Sequence, residues 1–510
     1  MLGRAVSNGS DKPSHQTGMI TDLTLKTSDR LFIGGRWIES SNNEPLVLVS
    51  PDSGKAFGYT AQAGTDDVDA AVAAARLAFD EGPWERMAVR DRAAVLHRLV
   101  DRLEARATEL ANAWNAQVGA LKSVAPSLIS EANAIARTVV EQAKAFPSLS
   151  RVPSTEAHTA LVAREPVGVV AAIAPWNFPH DIMIKKVAPA LVTGCTVVMK
   201  PAPETPLEAY IIAEAAQAAG VPDGVLNLVP AHRDASDHLV RHPGIDLVSF
   251  TGSTVAGQSI ARSCGGRIAR CILELGGKSA AIVREDYDID MAAKLLASTI
   301  IMMSGQICAM LSRVIVPTHR HDALATAISQ YLRNVRVGPS TDPSTQMGPI
   351  AMQRQLTRVE DHIARGLKQG AELVTGGHRP AHLPEGYFIE PTLFANVDSR
   401  ADISQEEIFG PVMCLIPCKD DDDAIRIAND SRYGLFGSVL TNDVDAAFKI
   451  SRAVRVGTFS QNGLRSDFTL PYGGKKQSGL GREGGIDGLL AYTESKTILL
   501  DGMPDSAPIT

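Results

Sequence analysis

VGVVAAIAPWNFP (167–179), TVVMKPAPETPLE (196–208), VLNLV (225–229), IDLVSFTGST (245–254) and CILELGGK (271–278) follow one another through the middle of the chain. Each begins with a short apolar run, mostly rich in β-branched residues, and each run ends in turn-forming residues. Helical segments separate them. One opens at Thr205-Pro206-Leu207-Glu208, where a cap, a proline at the first helical position and a reciprocal acid are expected. Strands alternating with helices predict βαβ units and a parallel sheet, whose buried strands carry no polar alternation. The fold class is α/β. A doubly wound sheet of this kind takes ligands beyond the carboxyl ends of its strands, so the residues after each run are the candidate site residues.

Upstream, LFIGGRWI (31–38) reads as two short strands around a Gly-Gly turn. In TDDVDAAVAAARLAFD (65–80) Thr65 is expected to cap a helix with an acidic first turn, and Val68, Val72, Ala75 and Phe79 share one face. A helical stretch from Ala88 to about Ala143 is broken near Gly119 and Pro126. Downstream, SRVIVP (312–317), AELVTGG (371–377), FIEPTLF (388–394) and VMCLIP (412–417) read as strands. Helices are expected over 321–334, 422–429 and 443–453, which makes a second α/β domain. TILL (497–500) looks like a strand reaching away from both.

The chain has 510 residues, 45% hydrophobic and 21% charged, with 50 basic against 57 acidic side chains. That near balance excludes a strongly basic nucleic-acid binder and gives no reason to expect a membrane-surface protein. No run approaches the length of a membrane span. Six cysteines in so long a chain do not make a disulfide framework, and Cys414 and Cys418 lack a second pair for a zinc site, so no metal is expected. A reducing, cytoplasmic setting is the default. Residues 1–18 read as a polar disordered tail, with Met19 an alternative initiator.

Gly479-Leu480-Gly481-Arg482-Glu483-Gly484 fits the dinucleotide fingerprint but is a false lead, because no apolar strand precedes it and too little chain follows for a βαβ unit. The better phosphate candidate is Gly252-Ser253-Thr254-Val255-Ala256-Gly257, directly after a strand and opening a helix, although such turns also merely cap helices. Cys308 stands in SGQIC (304–308); a free cysteine commonly ends as a buried apolar side chain. Glu274 closes an apolar strand with two glycines behind it, and packing explains a buried carboxylate there poorly. Asn177, between Trp176 and Phe178, suits a plain turn or an amide donor. Together a thiol, a carboxylate and an amide donor at loop positions suit acyl chemistry through a thioester.

LFIGGRWI, the DVDAAVAAARLAFD helix, PWNFP, VMKPAPETP, FTGST, LELGGKSA, GQIC, EEIFGPV and PYGGKKQSGLGREGG occur in this order, and with them the chain resembles the NAD(P)-dependent aldehyde dehydrogenase superfamily from about Leu31 to Leu500. The resemblance implies a Rossmann-type cofactor domain over 19–147 and 167–276, a catalytic domain over 277–485 and a small β oligomerisation arm over 148–166 and 486–510. It implies a small-molecule aldehyde substrate, NAD as cofactor with NADP not excluded, and a homodimer or homotetramer. Cys308 would be the nucleophile, Asn177 and the Cys308 backbone N–H the oxyanion hole, and Glu274 the base that activates water on the thioester. Lys186 and Glu483 match a polar pair behind the base, which a proton relay and a structural salt bridge explain equally well. Lys200 would lie near the adenosine ribose, Gly252 and Ser253 on the pyrophosphate, and Glu407 on the nicotinamide ribose. Phe409 would stand beside the nicotinamide ring, with Ile173, Pro175 and Trp176 lining the cleft and Leu275 and Gly276 near the ring amide.

One position departs from the family pattern. Many NAD-preferring relatives carry a glutamate three residues after the strand lysine, where Pro203 stands here; the acid comes next, as Glu204. A displaced carboxylate repels a 2′-phosphate less, and NAD remains the favoured cofactor. Around the thiol, Ile307 and Ala309 suggest an apolar mouth, while Asp181 and Lys185 either admit a polar aldehyde or are simply solvated. Two other classes compete: a thiol hydrolase or acyltransferase without nicotinamide, and an idle binding protein on the same fold. The Glu407/Phe409 motif argues against the first, intact Cys308, Glu274 and Asn177 against the second.

Overall fold

The computed structural model describes residue 25 and residues 27–504. The expected tail and Met19 lie outside the described residues. The five central runs form the strands Val169–Ile173, Thr196–Lys200, Leu226–Leu228, Leu247–Thr251 and Arg270–Glu274, all parallel. Leu31–Ile33 and Arg36–Ile38 extend one edge of this sheet and Gly479–Leu480 the other, making eight strands. The first of the five runs sits in the middle, between the second and the fourth. Strand order therefore reverses between Val169–Ile173 and Leu247–Thr251, and the crevice opens at that switch point.

A second sheet of seven strands is built on Ser279–Val283, Leu311–Pro317, Val412–Cys418 and Phe436–Leu440. It is parallel except where Glu372–Thr375 runs antiparallel to Thr392–Ala395. Leu149–Val152, Thr159–Pro166 and Thr493–Leu500 form a separate three-stranded antiparallel sheet. Mixed α/β architecture with two largely parallel sheets follows from the apolar runs, which are buried on both faces.

Several local expectations are corrected. Gly64, not Thr65, caps the helix Thr65–Asp80, and the Asp67 carboxylate accepts from the Gly64 N–H at 2.9 Å. Thr205 makes no side-chain cap, since the helix Leu207–Ala219 starts after Pro206. Glu208 does not reach back; it is fully buried and accepts from the Gln117 amide at 2.7 Å. The long helical stretch divides at Arg106 as well, into Val89–Ala105, Ala107–Val118 and Ala125–Lys144. Phe388 and Ile389 are core residues outside the strand, which begins at Thr392. Among the described residues no helix is long and apolar enough to cross a membrane.

Candidate active site

Residues just past the carboxyl ends of the first sheet meet the loop that ends the helix Ile289–Ile300 of the second. That loop is held in an unusual conformation: Met303 and Ser304 adopt φ of 47° and 53°, and Gly305 follows at 74°. A Cβ on Gly305 would lie 2.2 Å from the Gly410 backbone, so only glycine fits there. The Ser304 hydroxyl donates to the Gly348 carbonyl at 2.8 Å, and the buried Gln306 amide spans from the Met303 carbonyl to the Ala351 N–H. Non-glycine residues in the left-handed region persist only where their surroundings fix them. Here the fixed turn presents Cys308.

Two cavities meet at that thiol. The larger, about 510 Å³, is walled by Trp114, Ile129, Phe178, Ile182, Leu464 and Phe468. The smaller, about 130 Å³, runs along the strand ends between Trp176, Gly252, Ser253, Gly276, Glu407 and Phe409. Five residues line both: Asn177, Ile182, Thr251, Glu274 and Cys308. The thiol, the carboxylate and the amide thus stand at the one place where the cavities join.

The electrostatics differ from group to group. Burial, with Glu407 and Glu274 nearby, pushes the Cys308 thiol up to about 12. Burial also holds Glu274 well above the ordinary carboxylate range; the charge of Glu483 adds to this, and Lys186 and Arg482 oppose it. Neither Glu274 oxygen has a hydrogen-bond partner among the described residues, although the side chain is 5% exposed. An unpartnered carboxylate in an apolar wall is poised to take a proton rather than to hold structure. The Asn177 side-chain amide donates to the Gln306 carbonyl at 2.9 Å, and the Asn177 backbone carbonyl accepts from the Trp114 indole at 2.9 Å.

Behind Glu274, the Lys186 ammonium is fully buried and lies 2.5 Å from Glu483. It also reaches Ser249, which accepts from the Tyr492 hydroxyl at 3.0 Å. The glycine-rich segment read as a false lead delivers this partner, because Gly479–Leu480 pairs antiparallel with the strand ending at Glu274. Gly473, at φ 155°, leaves room there; a Cβ would approach Glu274 Oε1 to 2.6 Å.

In the smaller cavity the helix Thr254–Gly266 points its N-terminus at the opening, with the Ser253 hydroxyl accepting from the Ala256 N–H. Helix N-termini attract anions. A Cβ on Gly276 would come within 2.2 Å of the Glu407 carboxylate and would push it aside. Glu407 accepts from the Gly277 N–H at 2.9 Å, and burial pushes it up to about 7. Phe409, at φ 59°, stands edge-on to Trp176 with ring centroids 5.3 Å apart. Gln355 and Arg358 hold this segment by its backbone carbonyls.

Pro175 and Leu275 line this cavity, whereas Ile173 and Lys200 face each other on neighbouring strands outside it. Burial lowers Lys200 to about 8, and Glu204 is engaged by Arg354 rather than turned to the cleft. In the larger cavity Lys185 is buried and Asp181 is partly exposed. They form an ion pair at 2.7 Å, and the ammonium lies 3.3 Å from the Phe468 ring centre. The sequence reading missed Trp114, Gln355, Arg358 and Phe468, which come from distant segments, and passed over Thr251 and Tyr472 inside motifs it had singled out.

The aldehyde dehydrogenase family profile matches residues 37–498. The chain belongs to the aldehyde dehydrogenase family. It is 41% identical over 473 residues to a geranial dehydrogenase of Castellaniella defragrans, covering 92% of this chain and 98% of that one. Its structure resembles a Mycobacterium tuberculosis aldehyde dehydrogenase complexed with NAD+ (TM-score 0.90, 40% identity, 94% and 99% covered). It also resembles a cysteine-to-alanine variant of a Pseudomonas syringae aldehyde dehydrogenase complexed with NAD+ and octanal (TM-score 0.89, 35% identity, 94% and 98% covered). This aldehyde dehydrogenase is thus an oxidoreductase with a Rossmann-type fold.

Proposed function

We propose that this aldehyde dehydrogenase oxidises apolar aldehydes of medium length to carboxylic acids with NAD, through a thioester on Cys308. The observation that carries the reading is the junction: Asn177, Glu274 and Cys308 line both cavities at once. The larger cavity supports an apolar substrate, since its walls are mostly aromatic and aliphatic, with Glu131 and Arg465 also on the lining, and its Lys185 charge is neutralised by Asp181. The relative named for geranial and the one complexed with octanal are consistent with that chemistry.

In this reading the Cys308 sulfur adds to the aldehyde carbon. The oxygen that gains charge is met by the second N–H of the Asn177 amide, whose first is spent on Gln306, and by the Cys308 backbone N–H. One such donor is worth roughly 3–4 kcal/mol in the transition state. The smaller cavity fits a dinucleotide: a helix N-terminus for the pyrophosphate, Glu407 for a ribose, and Trp176 and Phe409 for a flat ring. A nicotinamide cofactor bound there supplies the hydride acceptor, which leaves the acyl group on Cys308 as a thioester. Glu274 then takes a proton from water as it attacks the thioester carbon, and the acid departs as the thiol is restored. Lys186 and Glu483 act from behind by setting the protonation of Glu274. Lys200 remains a proposed contact of the adenosine ribose and the Ile173 backbone a proposed wall of the cleft, and NAD is proposed over NADP, the departure at Pro203 notwithstanding. The three-stranded sheet of Leu149–Val152, Thr159–Pro166 and Thr493–Leu500 is proposed as the arm of a homodimer or homotetramer, because it leaves strand edges for a partner to cover.

Purified protein given octanal, geranial or a quaternary-ammonium aldehyde with NAD or NADP tests this by absorbance. Reduced NAD with the first two is expected. No reduced cofactor from any aldehyde, alongside cleavage of an activated ester, would overturn the reading in favour of a thiol hydrolase.

A further inference from the structure

Lysine side chains ordinarily lay their stems on apolar surface and keep the ammonium in water. Lys185 does the reverse. Its side chain is 7% exposed, and its ammonium reaches both oxygens of Asp181, at 2.7 and 2.8 Å, one helical turn earlier. The same ammonium lies 3.3 Å from the centre of the Phe468 ring. Phe468 leans on Tyr472 with centroids 4.3 Å apart, and Trp114 on Phe178 at 5.2 Å, so aromatic faces and one carboxylate surround this part of the larger cavity. Aromatic faces beside a carboxylate are the surroundings that hold an organic cation. Here the chain supplies the cation itself. The other basic side chains on the lining do not: burial lowers His180 to about 4, which leaves it neutral, and Arg465 is exposed. A leucine or methionine would fill the place of Lys185 without the cost of burying a charge, so packing does not explain the residue.

We infer that Lys185 is a specificity-determining residue: its ammonium occupies the place between Asp181 and the Phe468 ring that a positively charged substrate head would take. The cavity therefore refuses cationic aldehydes and accepts uncharged ones of the same shape. The inference rests on the larger cavity being the one that takes the aldehyde, and it adds selection by charge to the apolar reading. Two effects act in the same direction. An incoming cation finds the carboxylate and the aromatic face already engaged, and it also meets a fixed positive charge beside them. An uncharged chain meets neither, because the Lys185–Asp181 pair is neutral as a whole. The two residues act as a unit. Removing the lysine leaves a carboxylate and a free ring face that attract a cation, and removing the carboxylate leaves an uncompensated ammonium that repels one.

The test is protection of Cys308 against iodoacetamide in the full-length protein by two alcohols of one shape. They are choline and its uncharged analogue with a tert-butyl group in place of trimethylammonium. In the labelling reaction the thiol gives its proton to water, the Sγ–C bond forms and iodide leaves, so no aldehyde or cofactor takes part. The modified Cys308 peptide is followed by mass. In the parent the uncharged alcohol should protect at a lower concentration than choline does. Lys185→Met should lower the choline-to-uncharged ratio of half-protecting concentrations about fivefold, and Asp181→Asn should raise it. A merely structural role would move both alcohols together and leave the ratio in place. Lys185→Gln serves if the methionine variant does not fold. A ratio that stays at the parent's value in a folded Lys185 variant would overturn the inference, and so would a parent protected by choline as well as by the uncharged alcohol, or not protected by the uncharged one. Reduction of NAD by octanal on the same samples separates the two claims: a parent that reduces none, with a ratio that moves as stated, refutes the proposed reaction and leaves Lys185 selecting by charge.

Discussion

Lys185 and Lys186 are neighbours on the helix Pro179–Thr193, yet they serve opposite regions of the site. Lys186 points behind the base, pairs with Glu483 in complete burial and lends its charge to Glu274. Lys185 points into the wall of the larger cavity, where Asp181 cancels its charge and Phe468 covers it. The difference teaches that position, not residue type, decides what a charge does. One lysine lowers the pKa of the buried Glu274 carboxyl, the proposed base, and the other is neutralised on the wall of the larger cavity.

The comparison breaks most visibly at the group Lys186 serves. Glu274→Gln should lower steady-state turnover by about 10²–10⁴-fold, as loss of a general base does, while the first burst of reduced cofactor survives. Lys186→Met should come next. It strands Glu483 as a buried lone charge, which costs about 3–5 kcal/mol in denaturant unfolding, and adding Glu483→Gln should recover part of that loss. The same variant tests the pH dependence. Glu274 must be ionised to act, and its raised pKa means that turnover climbs with pH above the ordinary carboxylate range. Since Lys186 pulls that pKa down, its removal should carry the rising limb to higher pH; a limb that stays in place would detach the lysine from the base.

Changes on the other side of the helix should be milder. In Lys185→Met the unpaired Asp181 should lower the KM for a quaternary-ammonium aldehyde several-fold, with kcat for octanal little altered, because a partly exposed pair is worth about 1 kcal/mol or less. The smallest effect is on stability. A carboxyl whose folded pKa is raised binds its proton more tightly folded than unfolded, so stability falls as pH rises from the unfolded value toward the folded one. Glu274→Gln should therefore melt slightly higher than the parent at pH 8 and indistinguishably at pH 4.

The five central strands and the loop motifs after them were legible because buried parallel strands write themselves as apolar runs and their ends as turns. Cys308, Glu274 and Asn177 stood out as polar residues where packing wants none. What stayed hidden depends on distances between segments far apart in sequence. Asp181 and Lys185, four apart on one helix, are spaced to pair, but nothing local tells that Phe468 covers the lysine. Thr65 and Thr205 looked like caps because the pattern is correct, but Asp67 and the backbone at Pro206 end those helices differently. The segment 479–484 was rightly set aside as a nucleotide loop, yet its Glu483 could be tied to Lys186 only through family resemblance, and strand pairing places it there.

The central claim is that acyl transfer runs through the thiol where the two cavities meet. Its most direct test is mass mapping of Glu274→Gln after mixing with octanal and NAD. The account predicts an octanoyl group on the Cys308 peptide, in step with about one reduced NAD per subunit. Reduced NAD released at the parent's rate with Cys308 unmodified would contradict it.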